Sequence, residues 1–156
     1  MNPKILSLGF AVPLFSMNQE EAFHALHYSL PRSRRIFRET GIERRYVCVD
    51  PNKIYDYSWQ DLTQEYVKGA IDLSLQSVKN TLDSHRASDI GSITFCSVSG
   101  YSCPSLSYYI GGLLGLRDDV IHSNLLGQGC EAALPGLQRA YDQVKTNNGL
   151  ALTIAT

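Results

Sequence analysis

The sequence predicts an α/β domain in which a mixed, mostly parallel sheet is covered by helices on both faces. Two observations lead there. Short apolar runs of strand length alternate along the chain with stretches whose apolar residues recur at helical spacing, an order that calls for helical crossovers between strands. The 156 residues are 44% hydrophobic, enough for one domain with its own core.

Taken in order, Lys4 to Val12 is expected as a first strand, ended by Pro13. Asn18 to Leu30 follows as a polar helix with Asn18 as N-cap and Glu20 and Glu21 in its first turn, and Pro31 interrupts it. Arg32 to Gly41 is a short helix closed by its glycine, and Ile42 to Val49 is extended. Gln60 to Ser84 has the spacing of a long amphipathic helix, with Leu62, Tyr66, Ala70, Leu73 and Val78 facing the core. Ile90 to Val98 is a second strand, which ends in the tight polar sequence Ser99-Gly100-Tyr101-Ser102-Cys103-Pro104. Tyr108 to Leu116 is a short helix and Val120 to Leu126 a third strand. A helix from Ala132 to Val144 has Ala133, Leu137, Ala140, Tyr141 and Val144 at core spacing. Asn147-Asn148-Gly149 turns the chain into a last apolar strand, Leu150 to Ala155. Because the sequence stops in what reads as a central strand, residues 1–156 are expected to be one N-terminal domain whose C-terminal half is absent.

A formal net charge of −1 argues against a general nucleic-acid or membrane-surface role. No apolar run reaches the roughly 20 residues that span a bilayer. Met1 to Phe10 lacks the basic start, long apolar middle and small-residue cleavage site of a secretory signal, so a cytoplasmic location is expected. Cys48, Cys96, Cys103 and Cys130 form no C-x-x-C pair, which speaks against zinc, and a cytosolic chain of this size is not expected to carry a disulfide framework. His24 and His27 stand one helical turn apart with no carboxylate or cysteine at a ligand spacing, so no metal is expected.

Two features can carry chemistry. The segment Leu125 to Ala133 runs out of an apolar strand, across Gly127 and Gly129, and sets Cys130 on the first turn of a helix. Unpaired backbone N–H groups and the positive end of the helix dipole favour a thiolate there, and a cysteine so placed can have a pKa well below the free value of about 8.5. The glycines allow a sharp turn and leave room for a substrate. A buried structural cysteine is the other reading of the same residues, since free cysteine is among the most buried residue types. The second feature is the six arginines between positions 32 and 45. They read either as a solvated helix face or as a contact for an anionic ligand such as a phosphate, to which the guanidinium fork is suited.

The stretch Ile93-Thr94-Phe95-Cys96-Ser97-Val98-Ser99-Gly100-Tyr101-Ser102-Cys103-Pro104, then Leu113-Leu114-Gly115-Leu116-Arg117, then Gly127-Gln128-Gly129-Cys130 closely resembles, in order and spacing, the N-terminal half of chalcone synthase-like type III polyketide synthases. The broader relatives are the ketoacyl synthase III and thiolase enzymes, so the resemblance implies the N-terminal half of a thiolase-like fold. It is firmest from residue 90 to 156, colinear but weaker from 32 to 50, and general before that.

The resemblance implies an acyltransferase that performs a decarboxylative Claisen condensation. A cysteine matching Cys130 accepts an acyl group from a coenzyme A thioester, and malonyl-CoA units are decarboxylated and added to it. A thiolate is the nucleophile for thioester exchange, and the backbone N–H of Cys130 can meet part of the oxyanion's need. Val98 and Ser99 match positions that line the starter and elongation cavity, and Cys103 matches a residue, commonly methionine, that reaches into the partner subunit's cavity. Arg32 and Arg35 align with basic residues that bind the coenzyme A phosphates. The resemblance further implies a homodimer, with acyl-CoA and malonyl-CoA as substrates and no cofactor; neither nucleic acid nor membrane is expected as a partner, on the charge and hydropathy given above.

The sequence also departs from the family. Val98 is apolar where small hydroxyl residues are frequent, Cys103 is smaller than methionine, and Glu39 stands where a third basic residue is usual. Glu131 replaces a usually apolar residue directly after the cysteine and would oppose thiolate formation if both faced the pocket. Pro135, one turn beyond Glu131, removes that carbonyl's helical partner and is expected to bend the helix start. The catalytic histidine and asparagine of the family lie in its second half, and His122, at a strand start, is expected to be structural. Two alternatives stand beside the polyketide reading. One is a ketoacyl synthase III-like enzyme that condenses once with a carrier-bound extender; the other is an inactive thiolase-fold subunit that pairs with another such protein.

Overall fold

The computed structural model describes residues 2–27, 30–82, 87–147 and 149–156. It divides into two compact units, residues 12–65 and residues 2–11 with 66–156.

In the smaller unit β1 (Phe15–Asn18) pairs antiparallel with β2 (Arg44–Val47), Phe15 opposite Val47 and Asn18 opposite Arg44. Asn18 ends β1 and caps α1 (Gln19–Ala25). Its Oδ1 accepts from the Glu21 N–H at 2.9 Å, while the Glu21 carboxylate accepts from the Asn18 N–H at 2.8 Å, a complete capping box. The helix therefore begins where the sequence places it, but it stops at Ala25, and His27, with φ of 50°, turns the chain out. Tyr28 and Ser29 of the expected span lie outside the described residues. Pro31 opens α2 (Pro31–Glu39) rather than interrupting a helix, because at the first helical position its missing N–H has no acceptor to lose. Gly41, with φ of 67°, follows the end of α2, the conformation that favours glycine beyond a helix C-terminus. Phe23 of α1 and Phe37 of α2 meet edge to face, with ring centroids 5.7 Å apart.

The larger unit holds a three-stranded parallel sheet in the order β4-β3-β5, formed by β3 (Ile90–Ser97), β4 (Ile121–Leu126) and β5 (Leu150–Ala155). Side chains alternate along β3, and both of its faces are covered. Ile93 and Phe95 belong to the core that α3 (Trp59–Thr81) and α4 (Leu106–Leu113) close with Ala70, Val78 and Ile110. On the opposite face α5 (Ala133–Asn147) approaches so closely that a Cβ on Gly136 would stand 2.6 Å from the Cys96 Sγ and 3.1 Å from the Thr153 Cγ2. Helices thus cover both faces of the sheet.

Three expectations are corrected. Residues 4–12 form no strand: none of the described strands pairs with them, and Ile5, Leu8 and Phe10 are 72%, 84% and 82% exposed. Apolar alternation supplies a strand's faces but not the hydrogen-bonding edge that a strand requires. In α3 the core row runs through the expected Tyr66, Ala70 and Val78 together with Val67, Ile71 and Leu75, with the buried Ser74 among them, rather than through Leu62 and Leu73; Ser84 of the expected span lies outside the described residues. In α5 the buried residue is Gly136, with Ala132 buried just ahead of the helix, and Leu137 and Tyr141 of the expected row are exposed. The close approach at Gly136 decides which side of that helix meets the sheet. Asn148, in the expected turn before β5, also lies outside the described residues.

Candidate active site

Parallel pairing brings the carboxyl ends of β3 and β4 to one edge of the sheet, with Ser97 opposite Leu126. Open α/β sheets gather ligands outside the carboxyl ends of their strands. Val98 and Ser99 leave β3 at this edge, and Gly127 to Cys130 leave β4. Gly127 and Gly129 have φ of 71° and 72°, and a Cβ at either would meet nothing within 4 Å. Left-handed backbone, not crowding, is what calls for glycine at both.

Gly129–Glu131 then forms a 3-10 turn, and the Ala132 N–H donates to the Gly129 carbonyl at 3.2 Å. Cys130 is exposed within this turn, one step ahead of α5 rather than on the first turn of the α-helix itself. Pro135 is the third residue of α5, inside the stretch whose N–H groups have no acceptor in the helix, so it removes no intrahelical bond of α5. Glu131 shares the turn and is exposed as well. Burial is instead the situation of Cys96, whose thiol pKa is pushed up by it.

The β3–α4 loop carries the other residues of this edge. Val98 and Ser99 are exposed, the Ser99 N–H lies 3.4 Å from the Ser97 Oγ, and Cys103 is exposed further along the same loop. Arg32 and Arg35 stand on α2, in the smaller unit. Most of the arginine cluster is occupied locally. Arg35 pairs with Glu39 at 2.8 Å, while Arg34 and Arg38 reach Glu20 at 2.7 and 3.4 Å; the Arg34 hydrogen bond is the main cause that holds the Glu20 carboxyl below its ordinary range. Arg44 donates to the Ser16 hydroxyl and Arg45 to the Gln19 side chain. Among the described residues Arg32 alone of the six makes no hydrogen bond or ion pair.

His122 sits at the amino end of β4, away from Cys130. Its ring stacks on Tyr108 at 4.2 Å, Nδ1 lies 3.3 Å from the Ser107 Oγ, and burial lowers its pKa. That is a packing role. Sequence reasoning missed Ser97 and Ser107, which are 1% and 0% exposed. Ser97 accepts from the Tyr66 hydroxyl at 2.8 Å and Ser107 from the Asn124 amide at 2.9 Å; the helical periodicity of Tyr66 gave the only hint of either. Among the described residues no group of three or more His, Cys, Asp or Glu side chains could hold a metal ion, and no helix is long and apolar enough to cross a membrane.

A parallel α/β sheet with a cysteine presented on a glycine-flanked turn at its carboxyl edge defines a class of folds rather than one reaction. The family model of the N-terminal domain of chalcone and stilbene synthases matches residues 32–156, and the chain belongs to that family. It is 26% identical over 140 residues to the 3,5-dihydroxyphenylacetyl-CoA synthase of Amycolatopsis balhimycina, and 28% identical over 141 residues to that of Streptomyces toyocaensis. Each alignment covers 86% of this chain but only 38% and 36% of those relatives. Among solved structures, the 1,3,6,8-tetrahydroxynaphthalene synthase of Streptomyces coelicolor A3(2), a bacterial type III polyketide synthase, superposes with a TM-score of 0.84 at 23% identity, over 96% of this chain and 47% of that one. A type III pentaketide synthase from Neurospora crassa gives 0.79 at 20% identity, over 97% and 46%. The fold is therefore that of type III polyketide synthases, and the chain spans less than half the length of these relatives.

Proposed function

We propose that this chain is the N-terminal half of a type III polyketide synthase, and that the complete protein joins an acyl-CoA starter to malonyl-CoA extender units through a thioester on Cys130. The observation that carries this reading is the exposed Cys130 on its glycine-flanked turn at the carboxyl edge of the sheet, ahead of a 15-residue helix, in a chain of this family. The Cys130 thiolate attacks the starter's thioester carbonyl, forming a new C–S bond. Collapse of the tetrahedral intermediate breaks the old one and expels the coenzyme A thiolate. Backbone N–H groups of the turn meet the transient oxyanion. Loss of CO2 from malonyl-CoA leaves an enolate carbon, which attacks the Cys130 thioester, forms the C–C bond and returns the thiolate.

Val98, Ser99 and Cys103 would wall the growing chain. Arg32, which has no polar partner among the described residues, would hold coenzyme A phosphates, whereas Arg35 would have to exchange Glu39 for them. The protein would act as a cytoplasmic homodimer without a cofactor. Full-length protein given an acyl-CoA and radiolabelled malonyl-CoA is expected to release labelled pyrone or resorcinol products, and Cys130→Ala to release none. Undiminished product from Cys130→Ala would overturn the assignment of the nucleophile.

A further inference from the structure

We propose that Tyr66 is a positioning residue that fixes the β3–α4 loop and, through it, the length of the chain the site builds; the second half of this statement rests on the condensing function proposed above. Tyr66 stands on α3, and its side chain reaches the loop in two places. Its hydroxyl donates to the Oγ of Ser97, the last residue of β3, at 2.8 Å. The same Oγ faces the Ser99 N–H at 3.4 Å. Its ring fills the space beside Gly100, where an added Cβ would stand 2.5 Å from both Cδ1 and Cε1. Val98 and Ser99 therefore lie between two points held by one side chain. Ser97 is 1% exposed, so its hydroxyl has little water to turn to if Tyr66 lets go.

The ring and the hydroxyl can be separated experimentally. Tyr66→Phe keeps the packing on Gly100 and removes the hydrogen bond, Tyr66→Leu removes both, and Gly100→Ala pushes the ring away from the loop. In full-length protein, hydrogen exchange of the Ser99 amide is expected to rise about tenfold in Tyr66→Phe, the equivalent of one lost hydrogen bond, and further in the other two. Acylation of Cys130 by acyl-CoA should stay within about twofold of wild type, while the distribution of product chain lengths shifts in all three variants. Unchanged exchange across residues 98–103 in all three overturns the clamp. Faster exchange with an unchanged product distribution overturns its role in chain length. A wild-type protein that takes no acyl group on Cys130, yet shows the faster exchange in Tyr66→Phe, overturns the condensing function and supports the clamp.

Discussion

Cys96 and Cys130 carry the same thiol into opposite surroundings. Cys96 is 1% exposed beneath Gly136, whereas Cys130 is exposed in the middle of a 3-10 turn. Brief iodoacetamide treatment of the native protein is expected to alkylate Cys130 and to spare Cys96 until the chain unfolds. Gly136→Ala would press a methyl group onto the Cys96 Sγ and should cost about 1–3 kcal/mol in urea unfolding, with partial recovery when Cys96→Ala is added. Partial burial sets the direction in which His122 titrates. Its folded-state pKa lies below the ordinary 6.5, so stability is full above that pH. As pH falls below 6.5 the unfolded chain takes up the proton first and stability is lost. His122→Gln should flatten this part of the stability profile, and an unchanged slope would show that the ring is not responsible. The glycines made the Cys130 turn legible in the sequence. Which cysteine is exposed was not legible, because both follow apolar strand residues and only the packing of α5 on β3 separates them.

At the level of elements, the turn from β4 to α5 depends on two left-handed glycines that are free of steric contact. Gly127→Ala or Gly129→Ala should therefore cost about 1–2 kcal/mol through backbone strain alone, measured by chemical unfolding. In the smaller unit Asn18→Ala removes the capping box and should cost about 1 kcal/mol. Caps, prolines and glycines were readable because each acts within a few residues of itself. The strand expected at 4–12 and the buried face of α5 were not, because a strand is made by its neighbour and a helix face is chosen by what packs against it. The arginines of α2 and β2 show the same limit: the sequence places six between positions 32 and 45, and among the described residues the fold commits five of them to local partners.

For the whole molecule, three short motifs in register from residue 93 to 130 were enough to indicate the family, and the fold and the family model agree with them. They indicate it because a spacing held in register across two strands and the helix between them reflects a spatial layout, which no single motif does. The central claim is that the fold presents Cys130 as an acyl acceptor. The most direct test is the intact mass of full-length protein incubated with an acyl-CoA such as acetyl-CoA or hexanoyl-CoA in the absence of malonyl-CoA, followed by peptide mapping. One acyl group per chain, located on Cys130 and absent from Cys130→Ala, is the predicted result. An adduct that persists in Cys130→Ala, or none on the wild-type protein with any acyl-CoA tried, would contradict it.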